Sequence, residues 1–359
     1  MKSPGRPFDR VARVVGLILG VGVLVSVHAA GQTPQKVSAS ASASTMPRTP
    51  DGHPDLQGMF NTATVTPLER PASFAGKKTV TEAEAQAYAK TFLDEGNIDK
   101  RDPDPKVDVG RAYENLFLDR GTRMARLRGG IPSSLVVDPP DGKVPALTPA
   151  GEKRIAAERA AQRPTSEAGE QSGATGAGAY DNPEQRPLAE RCLLGFGSTS
   201  GPPALPVLYN NFKQIVQTPT TVMILNEMVH DARVVRMNAE HLPPTIKKWT
   251  GDSVGRWDGD TLVVDTTNFT DKTSYRGSGT KLHVVERFSR LDADTVLYQF
   301  TVEDPDTWTR AWTAEYPWVA TRDQMYEYAC HEANYALPSI LSGARFLEKE
   351  AAGKSSSKQ

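Results

Sequence analysis

The stretch Val296-Leu297-Tyr298-Gln299-Phe300-Thr301-Val302-Glu303 decides the fold. Val296, Tyr298, Phe300 and Val302 recur at every second position, and a period of two is the mark of a strand with one buried face. Outward from it the chain repeats the theme. Short segments rich in Val, Ile, Thr, Tyr and Trp are expected as strands at 212–218, 221–228, 230–237, 253–257, 261–269, 282–291, 294–303, 308–318 and 325–330. Asp258-Gly259-Asp260 reads as a tight hairpin turn, because Gly adopts positive φ without a Cβ clash, and Asp292-Ala293-Asp294 as a second. No helical pattern interrupts this series, which excludes alternating parallel βαβ units. The chain is therefore expected to be mainly β: an antiparallel meander of eight to nine strands over 201–335, with peripheral helices. So many strands hide their edges most simply by closing into a barrel, and a two-sheet sandwich is the alternative.

Before the β region, residues 49–200 are expected to form a segment with two helices wrapping the barrel. Thr81-Glu82-Ala83-Glu84 is a capping box ahead of Ala85, Tyr88, Ala89 and Phe92 at helical spacing, which predicts a helix over 82–95. Thr148-Pro149 supplies an N-cap and a first-turn proline for a second helix over 149–162. Residues 164–187, rich in Gly, Ser, Pro and Glu, read as an exposed loop. After the barrel, 336–352 reads as a terminal helix and 353–359 as a disordered tail.

The N-terminus carries a different message. Lys2, Arg6, Arg10 and Arg13, the apolar run Val14 to Val27 and the small residues Ala29-Ala30 have the layout of a secretory signal over 1–30. The run is short of the ~20 apolar residues a spanning helix needs, so no integral membrane segment is expected after cleavage. Residues 31–48, with alternating Ser and Ala, read as a disordered tether. Export, periplasmic or secreted, places Cys192 and Cys330 in an oxidising space, where a disulfide between them is expected. The 359 residues carry 42 Lys+Arg against 43 Asp+Glu, so there is no basic excess for a nucleic-acid partner. A content of 29 Gly and 27 Pro argues against a helical bundle.

Five histidines follow the signal, and two stand beside carboxylates: Glu227-Met228-Val229-His230-Asp231 and Cys330-His331-Glu332. A histidine near a carboxylate is the smallest acid/base unit, since the carboxylate fixes the tautomer and raises the imidazole pKa. His230, His331, Glu227 and Glu303 are accordingly the candidate catalytic set of an acid/base enzyme (lyase, isomerase or hydrolase), converging at one mouth of the barrel. The other reading is a binding protein for a small apolar or amphipathic molecule. Its ligand would lie against Trp308, Trp312 and Tyr316, with Arg233 and Tyr326 as polar contacts. Neither a His-x-His strand pair, an HExxH helix, a calcium loop, a GxSxG elbow nor a phosphate-binding glycine loop occurs, so no metal or cofactor is expected.

Three pieces carry a resemblance: Thr49-Pro50-Asp51-Gly52-His53-Pro54-Asp55-Leu56-Gln57-Gly58-Met59-Phe60, Gly251-Asp252-Ser253-Val254-Gly255-Arg256-Trp257-Asp258-Gly259-Asp260-Thr261-Leu262-Val263-Val264-Asp265 and Tyr326-Glu327-Tyr328-Ala329-Cys330-His331-Glu332. With these the chain resembles a large family of exported bacterial proteins of unknown function, which implies an exported, barrel-like protein and no particular reaction. Gly58-Met59-Phe60 is also similar, more faintly, to the Gly-x-Trp that opens the first lipocalin strand, with Phe in place of Trp.

Overall fold

The computed structural model describes residues 46–356 apart from 98, 102, 106–107, 109–115, 117, 163–180, 196–200, 273–274 and 333. The expected signal, most of the tether and most of the 164–187 loop lie outside the described residues. Nine strands close a barrel: β1 (Gly58–Asn61), β5 (Phe212–Gln217), β6 (Thr221–Asn226), β7 (Ala232–Met237), β8 (Asp252–Asp258), β9 (Thr261–Thr267), β10 (His283–Arg290), β11 (Thr295–Glu303) and β12 (Trp312–Ala320). Two short strands, β2 (Thr79–Val80) and β3 (Ile131–Pro132), pair apart from it, and β4 (Val136–Asp138) adds to the early part of β12.

The barrel is closed, as the alternation implies, but the strand order is mixed and not a pure meander. β7 and β8 run parallel, with Val235 opposite Ser253 and Met237 opposite Gly255. A parallel neighbour needs a crossover of a dozen or more residues, and 238–251 supplies it over the outer wall. The seam is made by β1, which pairs with β5 (Phe60 opposite Lys213) and with β12 (Phe60 opposite Ala320). The expected strand at 325–330 does not form: β1 and β4 already occupy the free edge of β12, leaving no ladder for it to join. Nor does the strand expected from 308 begin there. The Asp304 carboxylate accepts from Asp306 N and Thr307 Oγ1, both at 2.9 Å, and this turn delays β12 to Trp312.

Side chains fill the barrel. Val296, Tyr298, Phe300 and Val302 are fully buried, as are Trp312, Tyr316 and Trp318 on the neighbouring strand. The Tyr298 and Trp318 rings lie 4.8 Å apart, and Phe288 meets Trp318 edge-on at 5.4 Å. Both ends are stoppered. At one, the lead-in segment folds across the opening: Leu56 is fully buried and its N–H donates to Gln217 Oε1 (3.0 Å). Around it His53 stacks on Trp257 at 4.5 Å, Arg48 forms a two-pronged pair with Asp260, and Arg290 donates to Asp55 O. Arg48, assigned to the tether from the sequence, is thus part of the fold. From the other end, Ala204 reaches the tyrosines: its N–H donates to Tyr298 Oη (2.9 Å) and its carbonyl accepts from Tyr316 Oη (3.1 Å).

Helix α1 (Glu82–Glu95) carries the capping box, Thr81 Oγ1 accepting from Glu84 N and the Glu84 carboxylate from Thr81 N. Helix α2 spans Pro149–Gln162, with Gly151 N donating to Thr148 Oγ1. Helix α3, Ala336–Ser356, continues through the first residues of the expected tail. Among the described residues no helix is long and apolar enough to cross a membrane.

Candidate functional site

Glu227 and His230 sit in the β6–β7 turn, and Glu303 ends β11. His230 sits exposed in the β6–β7 turn, where it and the β-branched Val229 hold positive φ (41° and 59°), a conformation non-glycine residues rarely adopt. Its Nδ1 lies 3.3 Å from Tyr328 O. Glu227, in the same turn, is buried, and its Oε2 accepts from Phe212 N (3.1 Å). Glu303 lies on the outer wall, 3.7 Å from His283 Nδ1. His331 is exposed beyond Cys330, which is disulfide-bonded to Cys192 with the Cα atoms 5.8 Å apart. Among the described residues no side-chain hydrogen bond or ion pair joins His230, His331, Glu227 and Glu303 to one another. Trp312 and Tyr316 are fully buried in the core, and Trp308 packs edge-on to Trp312 at 6.0 Å. Tyr326 is 69 % exposed.

Arg233 enters a buried polar network inside the barrel. It grips Glu286 with both guanidinium nitrogens, and Tyr298 Oη donates to Glu286 Oε1 (2.8 Å). Burial works against the charged guanidinium, but the Glu286 carboxylate outweighs it and raises the arginine pKa. Lys213, fully buried on β5, is pushed down to about 7 by burial, against the attraction of Glu227. Burial likewise raises Asp231.

A chain of alternating carboxylates and imidazoles, which the sequence reading missed save for Glu303, crosses the outer wall. Asp265 receives both His241 Nε2 and His283 Nε2 at 3.0 Å, and His241 Nδ1 lies 3.2 Å from Asp252. The bond to Asp265 raises His283 despite burial, and lowers Asp265 in turn. Burial would raise Asp252, yet bonds from Lys248, Leu242 N and His241 hold it down to about 2. The chain thereby clamps the 238–251 crossover to the wall. Among the described residues no group of His, Cys, Asp and Glu has a metal-holding arrangement.

An apolar concave site lies elsewhere. A cavity of about 650 Å³ lies beside the barrel, between α1 and the segments 64–68 and 205–209. Tyr88 and Phe92 line it from α1, Leu205 and Leu208 from 205–209, Val65 and Leu68 from 64–68, and Met228 from the β6–β7 turn. Hydrogen bonds fix this frame. Fully buried Asn211 donates to Val207 O and accepts from Val207 N, both at 2.9 Å, and also donates to Asp119 O. Asp119 N bonds Leu208 O (2.8 Å), Val65 N bonds Arg123 O (3.1 Å) and Leu135 N bonds Pro67 O (2.8 Å). Among the described residues Arg120 is the one charged residue of the lining, among apolar side chains and the polar Thr64 and Thr66. None of Trp308, Trp312 and Tyr316 lines this cavity.

Fold and site together define a closed, internally packed β-barrel with a lateral apolar cleft. Comparison with family models, curated proteins and solved structures finds no match to this chain.

Proposed function

We propose that the protein binds a small apolar or amphipathic molecule in the lateral cleft, with the barrel as a rigid scaffold. The cleft itself carries this reading: its volume of about 650 Å³ lies within the roughly 300–1,000 Å³ of small-molecule sites, and its lining is apolar with few polar groups, as such sites are. The barrel interior is occupied by the buried rings of Tyr298, Trp312, Tyr316 and Trp318, so the ligand is assigned to the cleft and not to the centre. The reading also keeps the protein exported, periplasmic or secreted, alongside the exported bacterial proteins it resembles. The signal-like residues 1–30 and the Cys192–Cys330 bridge support that compartment.

Titration with an environment-sensitive amphipathic dye, 1-anilinonaphthalene-8-sulfonate, tests the cleft. One saturable site is expected, weakened about 10-fold or more by Leu208→Glu, since an unpaired charge is costly against apolar surface. Leu208 is 53 % exposed, so the variant keeps the fold. Trp312→Phe inside the barrel should leave the titration unchanged, because the rings it touches, Tyr275, Phe300 and Trp308, do not line the cleft. Binding that ignores Leu208→Glu but responds to Trp312→Phe refutes the proposal.

A further inference from the structure

The geometry points to a ligand with an anionic head, an aliphatic monocarboxylate whose carboxylate pairs with Arg120 while its chain lies along Tyr88, Phe92, Leu205 and Leu208. This inference rests on the cleft being the binding site. Arg120 is the cation of that lining, and it is partly buried. Its guanidinium has no hydrogen-bond or ion-pair partner among the described residues. Arg70 and Arg126, by contrast, are engaged: Arg70 with Ser133 Oγ (2.9 Å) and Pro140 O (3.1 Å), Arg126 with Glu82. A guanidinium left unpaired in a mostly apolar lining has donors to spare for a planar carboxylate, and the fork geometry suits a two-pronged bond.

The position of Arg120 is itself prepared. Its Nη1 lies across Gly96, at the C-terminal end of α1, where a Cβ would come within 2.0 Å of it. The missing side chain at Gly96 lets the guanidinium lie over the helix end, and the negative end of the helix dipole favours a cation there. Gly96 has φ of −80°, open to alanine, so this glycine serves close approach and not backbone conformation. Gly96 is thus a positioning residue for the anion contact.

The chemistry calls for a chain acid and excludes preference for the corresponding alcohol or amine. Calorimetric titration of the purified protein with decanoate, decanol and decylamine reads this directly. Decanoate is expected to bind about 10-fold or more tighter than decanol, the usual weight of a charge-assisted bond in a partly buried site. Decylamine should bind weakest. Arg120→Gln should bring decanoate down to the level of decanol while leaving decanol unchanged. Gly96→Ala, which displaces the guanidinium without removing it, should lower decanoate alone by a smaller factor. Equal binding of acid and alcohol in the wild type, both abolished by Leu208→Glu, would overturn the anionic head and leave the cleft standing. No binding of any of the three, or binding that Leu208→Glu does not touch, would overturn the cleft as well.

Discussion

Replacing Arg233 by Met tests the polar network at the centre of the barrel. The side chains of Arg233 and Glu286 are 5 % and 0 % exposed, and Met conserves most of the arginine stem volume, so the change isolates the guanidinium. What remains is a buried carboxylate whose hydrogen bond comes from Tyr298 Oη. Breaking one side of a buried pair costs about 3–5 kcal/mol, because the surviving charge keeps its desolvation penalty without its counter-charge. At about 2–4 °C per kcal/mol for a domain of this class, the melting temperature should fall by roughly 6–20 °C. Removing both partners in Arg233→Met/Glu286→Leu leaves no orphaned charge, so most of the loss should be recovered. Urea unfolding followed by tryptophan fluorescence gives the cycle, and a coupling above about 1 kcal/mol is expected. A loss below about 1 kcal/mol for Arg233→Met, or a double variant equal to the sum of the two singles, would refute the argument.

Other parts of the account can be checked in the same assay. Cys192→Ser/Cys330→Ser opens a connection of 138 residues, for which chain entropy predicts a loss of about 5 kcal/mol; an unchanged urea midpoint would contradict it. Leu56→Ala should cost about 2–5 kcal/mol because the side chain is fully buried in the stopper, whereas Arg48→Ala, at the exposed pair with Asp260, should do little. Gly255→Ala would set a Cβ 2.7 Å from Met237 Sδ and 2.8 Å from Val235 Cγ1, a clash worth about 1–3 kcal/mol that leucine in place of Met237 would not relieve. His283 is raised in the folded state by Asp265, with burial opposing and Glu303 adding to the effect, while His241 shares the same Asp265. Its charged form therefore contributes stability that is complete below its unfolded pKa of about 6.5 and is lost as pH rises through the higher folded value. His283→Gln should accordingly cost more at pH 5.5 than at pH 9; equal costs would show that the bond to Asp265 does not favour the charged ring.

Local patterns on the page of sequence predicted local structure well, and closure was where they ran out. The alternation around Tyr298 and Phe300, the turn at Gly259 and the capping box at Thr81 are each written within ten residues, and the strands and helix they imply are present. By contrast β1 is four residues long and earns its place only through partners far along the chain, Lys213 and Ala320. The stretch 325–330 has strand composition but meets an edge that is already filled. The motif Gly251 to Asp265 was legible as a motif, yet its reason is topological. Asp252 anchors the crossover, Gly255 lets β8 approach Met237, Trp257 receives His53, and Asp260 receives Arg48. The cleft had no local signature, since α1, Arg120, Leu205 and Met228 meet only after folding. A guide was available in hindsight: Leu205-Pro206-Val207-Leu208-Tyr209 is an apolar run with no alternation, and Leu208 stays half exposed.

That the barrel is filled and the ligand lies on its flank is tested most directly by diffraction from crystals grown with an aliphatic acid carrying bromine at its chain end. The anomalous signal places the bromine without reference to any assumed pose. The account predicts a peak between Tyr88, Phe92, Leu205 and Met228, with the carboxylate toward Arg120. A peak inside the barrel among Trp312, Tyr316 and Trp318, with those rings moved aside, would contradict it.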